Sequence, residues 1–165
     1  MKKIIFLVLP ILYLACANST EPDPEPKIFL SPASANVTVG NTIDLNIVVE
    51  ENQTSFFAVS MQITYNNTLL NFDDNNGFNR GSLFDQSAIV FAQNNGSVIH
   101  LSVSQVKGQT STSGSGVIGT LRFSATSSGN SPIRINQDEL IFYNSQGNEI
   151  NIPDLEIKAA SISVQ

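Results

Sequence analysis

Apolar and polar residues alternate along most of the chain from Ile28 onward. Thr42–Val49 (TIDLNIVV) sets Ile43, Leu45 and Ile47 in one phase. Phe57, Val59, Met61, Ile63 and Tyr65 alternate with Ala58, Ser60, Gln62 and Thr64, and Ile99, Leu101 and Val103 with His100, Ser102 and Ser104. In 117–125, Val117, Leu121, Phe123 and Ala125 share a phase, and Gly119 among them predicts a bulge or a close approach of another backbone. Shorter strands are predicted at 28–30, 35–39, 69–72, 88–92, 133–135, 141–143 and 156–164. Turn signals separate them: Val-Gly-Asn at 39–41, Asn-Asn-Gly at 75–77 and 94–96, and Ser-Gly-Asn at 128–130. Asn94-Asn95-Gly96 between two strand-like runs predicts a hairpin. No window of about 11 residues carries helical amphipathicity. Many short strands with frequent turns predict an all-β sandwich, each strand with one buried and one wet face.

The N-terminus breaks this pattern. Residues 1–16 read MKKIIFLVLPILYLAC: two lysines, a 12-residue apolar run from Ile4 to Ala15 interrupted by Pro10, then Cys16. The run is too short for a spanning helix, which needs about 20 residues, and suits a signal peptide over residues 1–15. Leu14-Ala15-Cys16 resembles the bacterial lipobox, which implies that Cys16 is lipidated and becomes the mature N-terminus. It is the one cysteine of the chain, so no disulfide joins parts of this fold. Residues 16–27 continue as a tether with three prolines and three acids, a composition that favours extended spacers of about 3.1 Å per residue. The domain is expected over residues 28–165.

Composition narrows the chemistry. Charged residues are 13% of the 165, against roughly 25% in typical domains, and Ser, Asn and Thr (20, 18 and 10) supply the polarity instead. The hydrophobic share of 41% is enough to build a core. Net charge is −6, with no basic cluster in the domain, which excludes nucleic acid as a partner because that binding rests on cationic contacts to phosphate. There is no Trp and a single His, so no Ser–His–acid triad or His-based metal site is expected, nor any cofactor. Asp73-Asp74-Asn75-Asn76-Gly77 looks like a calcium loop, but Phe78 and Phe84 stand where an EF-hand needs Gly and Glu; an Asx-rich turn is expected. Five Asn-x-Ser/Thr sequons, at Asn18, Asn36, Asn52, Asn66 and Asn95, reflect the Asn/Ser/Thr-rich composition.

The order of segments resembles the cohesin family. Val39-Gly-Asn-Thr42 leads into an alternating strand; FFAVSMQITYNNTLLNF (56–72), Gly81-Ser-Leu-Phe84, GSGVIGTLRFSATSSGNSPIRI (114–135) and LIFYNSQGNEI (140–150) follow in the family's order. The resemblance covers nearly all of 28–165 and implies a flattened jelly-roll β-sandwich of about nine strands, related to cellulose-binding modules. It also implies a non-catalytic receptor for dockerins, modules that carry their own calcium. In cohesins an Asn and an Asp on the strand matching Phe57–Tyr65 hydrogen-bond the dockerin helix; counting back from Tyr65 puts Ala58 and Ser60 there, so that polar pair is missing.

The expected contact surface is the outward row Ala58, Ser60, Gln62 and Thr64 with His100, Ser102 and Ser104, small and neutral. The expected protein is an exported, lipid-anchored module of a bacterial envelope, in the outer membrane or at the cell surface. There it docks a dockerin-bearing or other secreted protein, in a setting of polysaccharide degradation. The alternatives are a carbohydrate-binding surface module and a structural envelope lipoprotein. Sugar sites usually stack on exposed aromatics. The phases place Tyr65 and Tyr143 inward and leave Phe56 and Phe78 as the exposed rings.

Overall fold

The computed structural model describes residues 24–165. The expected signal peptide, Cys16 and most of the tether therefore lie outside the described residues. Fourteen strands follow in order: β1 (Lys27–Ser31), β2 (Ser34–Val37), β3 (Thr42–Phe56), β4 (Ala58–Thr64), β5 (Leu70–Phe72), β6 (Phe78–Arg80) and β7 (Ile89–Asn95). Then come β8 (Val98–Ser104), β9 (Thr112–Ala125), β10 (Gly129–Ile135), β11 (Ile141–Tyr143), β12 (Glu149–Ile150), β13 (Glu156–Lys158) and β14 (Ala160–Val164). Nine of them have four or more residues, in keeping with the nine-stranded sandwich that the cohesin resemblance implies; the other five are short pairing segments. The one helical element among the described residues is a 3-10 turn, Gln137–Glu139, and no helix there is long and apolar enough to cross a membrane.

The strands form two sheets. One runs β13-β1-β3-β9-β5 with β6 also on β9; the other runs β12-β11-β4-β10-β14-β2, with the β7–β8 hairpin on the free side of β4. The chain crosses between them repeatedly, and through a single residue at Phe57, linking β3 to β4, and at Ala159, linking β13 to β14. The 156–164 segment, which reads as one strand, is thus split between the sheets.

Alternation decides the core. Val59, Met61 and Ile63 of β4 and Ile99, Leu101 and Val103 of β8 are buried against Leu45, Ile47, Leu121 and Phe123 of the first sheet. Aromatic rings fill both ends: Phe56 meets Phe142 and Phe84 edge-on at 5.0 and 5.8 Å, and Phe123 lies 5.2 Å from Tyr65 and 5.9 Å from Phe72. Phe56 is therefore fully buried, contrary to the phase argument. Register shifts along β3 after Val49 and Asn52 turn its last residue inward before the chain crosses between sheets. Phe78 is partly buried too, its ring lying over Gly119. Gly119 sits at the register shift between Ile47 and Val48, and a Cβ there would meet the Phe78 ring and lie 2.8 Å from the Asn79 carbonyl oxygen. The sequence left a bulge or a close approach as alternatives at that glycine, and the structure has both.

Candidate functional site

Four neighbouring strands make the outer face of the second sheet, in the order β7-β8-β4-β11. Because residues opposite each other in antiparallel pairs point to the same side, the register assigns the face row by row. Ile89, Ser104, Ala58 and Tyr143 form one row; Phe91, Ser102, Ser60 and Ile141 the next; Gln93, His100 and Gln62 a third. Thr64 follows, opposite Val98 and beside Arg134 of β10. All seven residues expected from the alternation, Ala58, Ser60, Gln62, Thr64, His100, Ser102 and Ser104, share this face and are half-buried. The Ser102 hydroxyl donates to Ser60 Oγ at 3.0 Å, and Ser104 Oγ donates to the Gln105 carbonyl at 2.9 Å, so the serines are held flat against the sheet.

The flanks were not legible in the sequence. Ile89 and Phe91 stand exposed on β7, and Ile141 and Tyr143 line the other side on β11. Tyr143 thus points outward with Ala58, not inward, because Phe142 takes the core position of that three-residue strand. Tyr65 is inward as expected, its hydroxyl donating to Asn94 Oδ1 at 3.0 Å. Ile89–Ala92 sits in an unbroken apolar run, so the strand expected there has no alternation from which an outward phase could be read.

The result is a lane two strands wide, floored by Ser and Ala and bordered by larger apolar side chains. Adjacent strands are about 4.8 Å apart, so β7 and β11 lie about 14 Å from each other, wider than one helix with its side chains at about 10–12 Å. β4, β7, β8 and β11 together carry no Asp, Glu, Lys or Arg, although the chain has 14 acids. Depletion of charge with aromatic enrichment is the signature of the core of a protein interface.

The titratable groups with displaced pKa values lie off this face. Hydrogen bonds from Arg122 hold Asp44 below its usual value, those from Asn75 and Asn76 do the same for Asp73, and those from Ser87 for Asp85. Burial raises Tyr65. The Asp73 carboxylate is occupied within its own turn, accepting the Asn75 N–H at 3.0 Å and the Asn76 amide at 2.9 Å, which is the Asx-rich turn read from the sequence. Among the described residues no three His, Cys, Asp or Glu side chains gather in a group able to hold a metal.

A family model described as "Cohesin domain" matches residues 28–158. Among solved structures, the chain is similar to a non-cellulosomal cohesin from the hyperthermophilic archaeon Archaeoglobus fulgidus, at 18% identity and a TM-score of 0.67 over 86% of this chain and 92% of that one. It is similar to the third ScaC cohesin of Acetivibrio cellulolyticus, solved in complex with a ScaB dockerin, at 15% identity and a TM-score of 0.68, over 84% and 98% of the two chains. A type II cohesin domain from the cellulosome of the same organism matches at 14% identity and a TM-score of 0.68, over 84% and 95%. At such identities these structures establish a shared fold. No curated protein matches the chain.

Proposed function

The chain belongs to the cohesin-domain family, whose members are non-catalytic protein–protein interaction modules, and on that premise we propose that it docks a dockerin-bearing secreted protein on the β7-β8-β4-β11 face. The observation that carries this reading is the charge-free lane of Ser60, Ser102, Ser104 and Ala58 between Ile89/Phe91 and Ile141/Tyr143. A helix lying along the strands would rest its small side chains on the serines and its apolar flanks on the borders. Gln62, Thr64 and His100 would meet its polar end. With Ala58 and Ser60 in place of the family's polar pair, recognition rests on shape and apolar contact, so the partner's complementary surface is apolar and small rather than charged.

In this reading Cys16 carries the lipid, residues 16–27 form the tether, and the domain holds its partner at the bacterial envelope, in the outer membrane or at the cell surface. Two or more acyl chains give firm anchoring where one is marginal. The partner's own calcium, not a metal of this chain, makes the complex chelator-sensitive. A role in polysaccharide degradation follows if the partner is a hydrolase. A second reading, direct carbohydrate binding, draws on the two rings Phe91 and Tyr143 on the same flat face, a feature of stacking platforms.

The test is capture from the source organism's secreted and envelope proteins on immobilised residues 17–165, followed by elution with a calcium chelator and mass spectrometry. Chelator-released proteins bearing paired Asp/Asn calcium repeats are expected. An empty eluate from folded bait overturns the docking reading, and binding on a glycan array would then favour the carbohydrate one.

A further inference from the structure

Four large apolar side chains are exposed among the described residues, and three are consecutive: Ile89 at 64%, Val90 at 37% and Phe91 at 53%. They lie on β7, whose partner among the described residues is β8 alone, so its other edge is unpaired. Ile89 and Phe91 point to the outer face; Val90, opposite Val103, points to the inner side of the same edge. A helix laid on the outer face would cover the first two and leave Val90 wet. A strand added alongside covers all three, because successive side chains flank both faces.

The backbone shows which groups are open. Asp74 Oδ1 accepts the Asn94 N–H at 2.6 Å, so that N–H points away from β8. Hydrogen-bonded and non-hydrogen-bonded positions alternate along an antiparallel pair, so Val90 and Ala92 also turn their N–H and C=O outward, while Ile89, Phe91, Gln93 and Asn95 bond β8. The Asp74 carboxylate thus caps the edge at Asn94, a charge placed as native sheets place one to blunt an edge. The apolar stretch Ile89–Ala92 has no such cap.

We infer that β7 pairs antiparallel with β7 of a second copy of this chain, about a two-fold axis through Phe91. In that register each Val90 lies opposite Ala92 of the other copy, and each such pair exchanges two N–H to C=O bonds. Four bonds then use all the open groups of Val90 and Ala92 in both copies. The two Phe91 rings meet on the outer face, Ile89 lies over Gln93, and Val90 is covered from the inner side. Symmetry favours a second copy as the occupant: the open groups of Val90 and Ala92 are placed evenly about Phe91 and so match their own two-fold image, and with no ionisable side chain in β7 (IVFAQNN) self-pairing sets no like charges opposite each other within the ladder. A five-residue ladder buries well under the roughly 800 Å² per partner of a stable interface, so the dimer is weak and concentration-dependent. The axis stands perpendicular to the sheet, which leaves both outer faces on the same side, as one double-width platform.

Sedimentation velocity on residues 17–165 tests this from about 10 μM to about 1 mM, the range in which a weak interface saturates. That form carries the whole core, which lies between Ile28 and Val164. The sedimentation coefficient is expected to rise from monomer to dimer over the range. Val90→Pro removes one outward N–H without touching the β8 ladder and is expected to hold the protein monomeric, with its circular dichroism unchanged. Phe91→Lys, which sets two like charges on the axis, is expected to do the same, with dimerisation partly restored by salt; it decides the matter should the proline variant fail to fold. A wild-type protein that stays monomeric throughout, or a dimer that survives both substitutions, overturns the inference. No docking partner is in the cell, so the result is independent of the docking reading.

Discussion

Replacing Ser60 by arginine tests the lane where it is narrowest in consequence. Ser60 lies at its centre, with Ser102 of β8 on one side, its hydroxyl 3.0 Å away, and Ile141 of β11 on the other. The borders are about 14 Å apart and a helix with its side chains is about 10–12 Å across, so the slack is roughly 2–4 Å. An arginine side chain standing on the floor takes more than that and lifts the helix off the serines. Loss of contact at the centre of an interface costs about 2–4 kcal/mol, or ~30- to ~900-fold in Kd. The fold itself loses one outer-face hydrogen bond, about 0.5–1.5 kcal/mol, against the 5–15 kcal/mol that typically holds a domain together. The assay is isothermal titration of wild type and Ser60→Arg with the captured partner, beside calorimetric melting of both. A large affinity loss with a melting point lowered by a few degrees is expected. Unchanged affinity in a folded variant would refute the assignment of the interface to this lane. Ser60→Ala, which keeps the lane clear, is expected to bind within a few-fold of wild type.

Other outcomes follow from the same structure. Cys16→Ser is expected to release the protein from membranes into the soluble fraction on cell fractionation; continued membrane retention would contradict lipidation at that residue. Gly119→Ala drives a methyl group into the Phe78 ring and the Asn79 carbonyl, so β6 must lift from β9, at a cost of about 1–3 kcal/mol measured by urea unfolding. Phe123→Ala removes a ring with no exposed surface that packs on Tyr65 and Phe72, and a loss of about 3–5 kcal/mol is expected in the same assay. Asp44, Asp73 and Asp85 are held below the ordinary carboxylate value of 3.8 in the folded chain, so the unfolded chain binds more protons in the acid range. Their contribution is complete above that value and is lost as pH falls through the folded values. The thermal midpoint is therefore expected to drop below about pH 3.8, with a shallower acid limb in Asp85→Asn.

Alternation in the sequence was enough to assign the core side of β4, of β8 and of the regular stretches of β3 and β9, because side chains alternate with period two and a one-residue error would exchange buried and wet positions. Beyond the register shift next to Gly119 it failed, and Ile118 rather than Val117 is fully buried. Ala58–Thr64 and His100–Ser104 were legible as one polar row from their alternation, as were Gly119's close approach and the turn at Gly96, whose φ of +68° suits glycine. Tertiary structure decided what alternation cannot encode, which is the neighbour on each side. Ile89–Ala92 reads as one more short strand and proves to be an open edge, since nothing local in four apolar residues says whether another strand lies beyond. Tyr143 turned outward because β11 is three residues long and takes its phase from pairing with β4. Phe56 turned inward because the bulges of β3 shift its register before the chain crosses between sheets. Each of these borders or closes the outer face, and each depends on contacts between segments far apart in the chain.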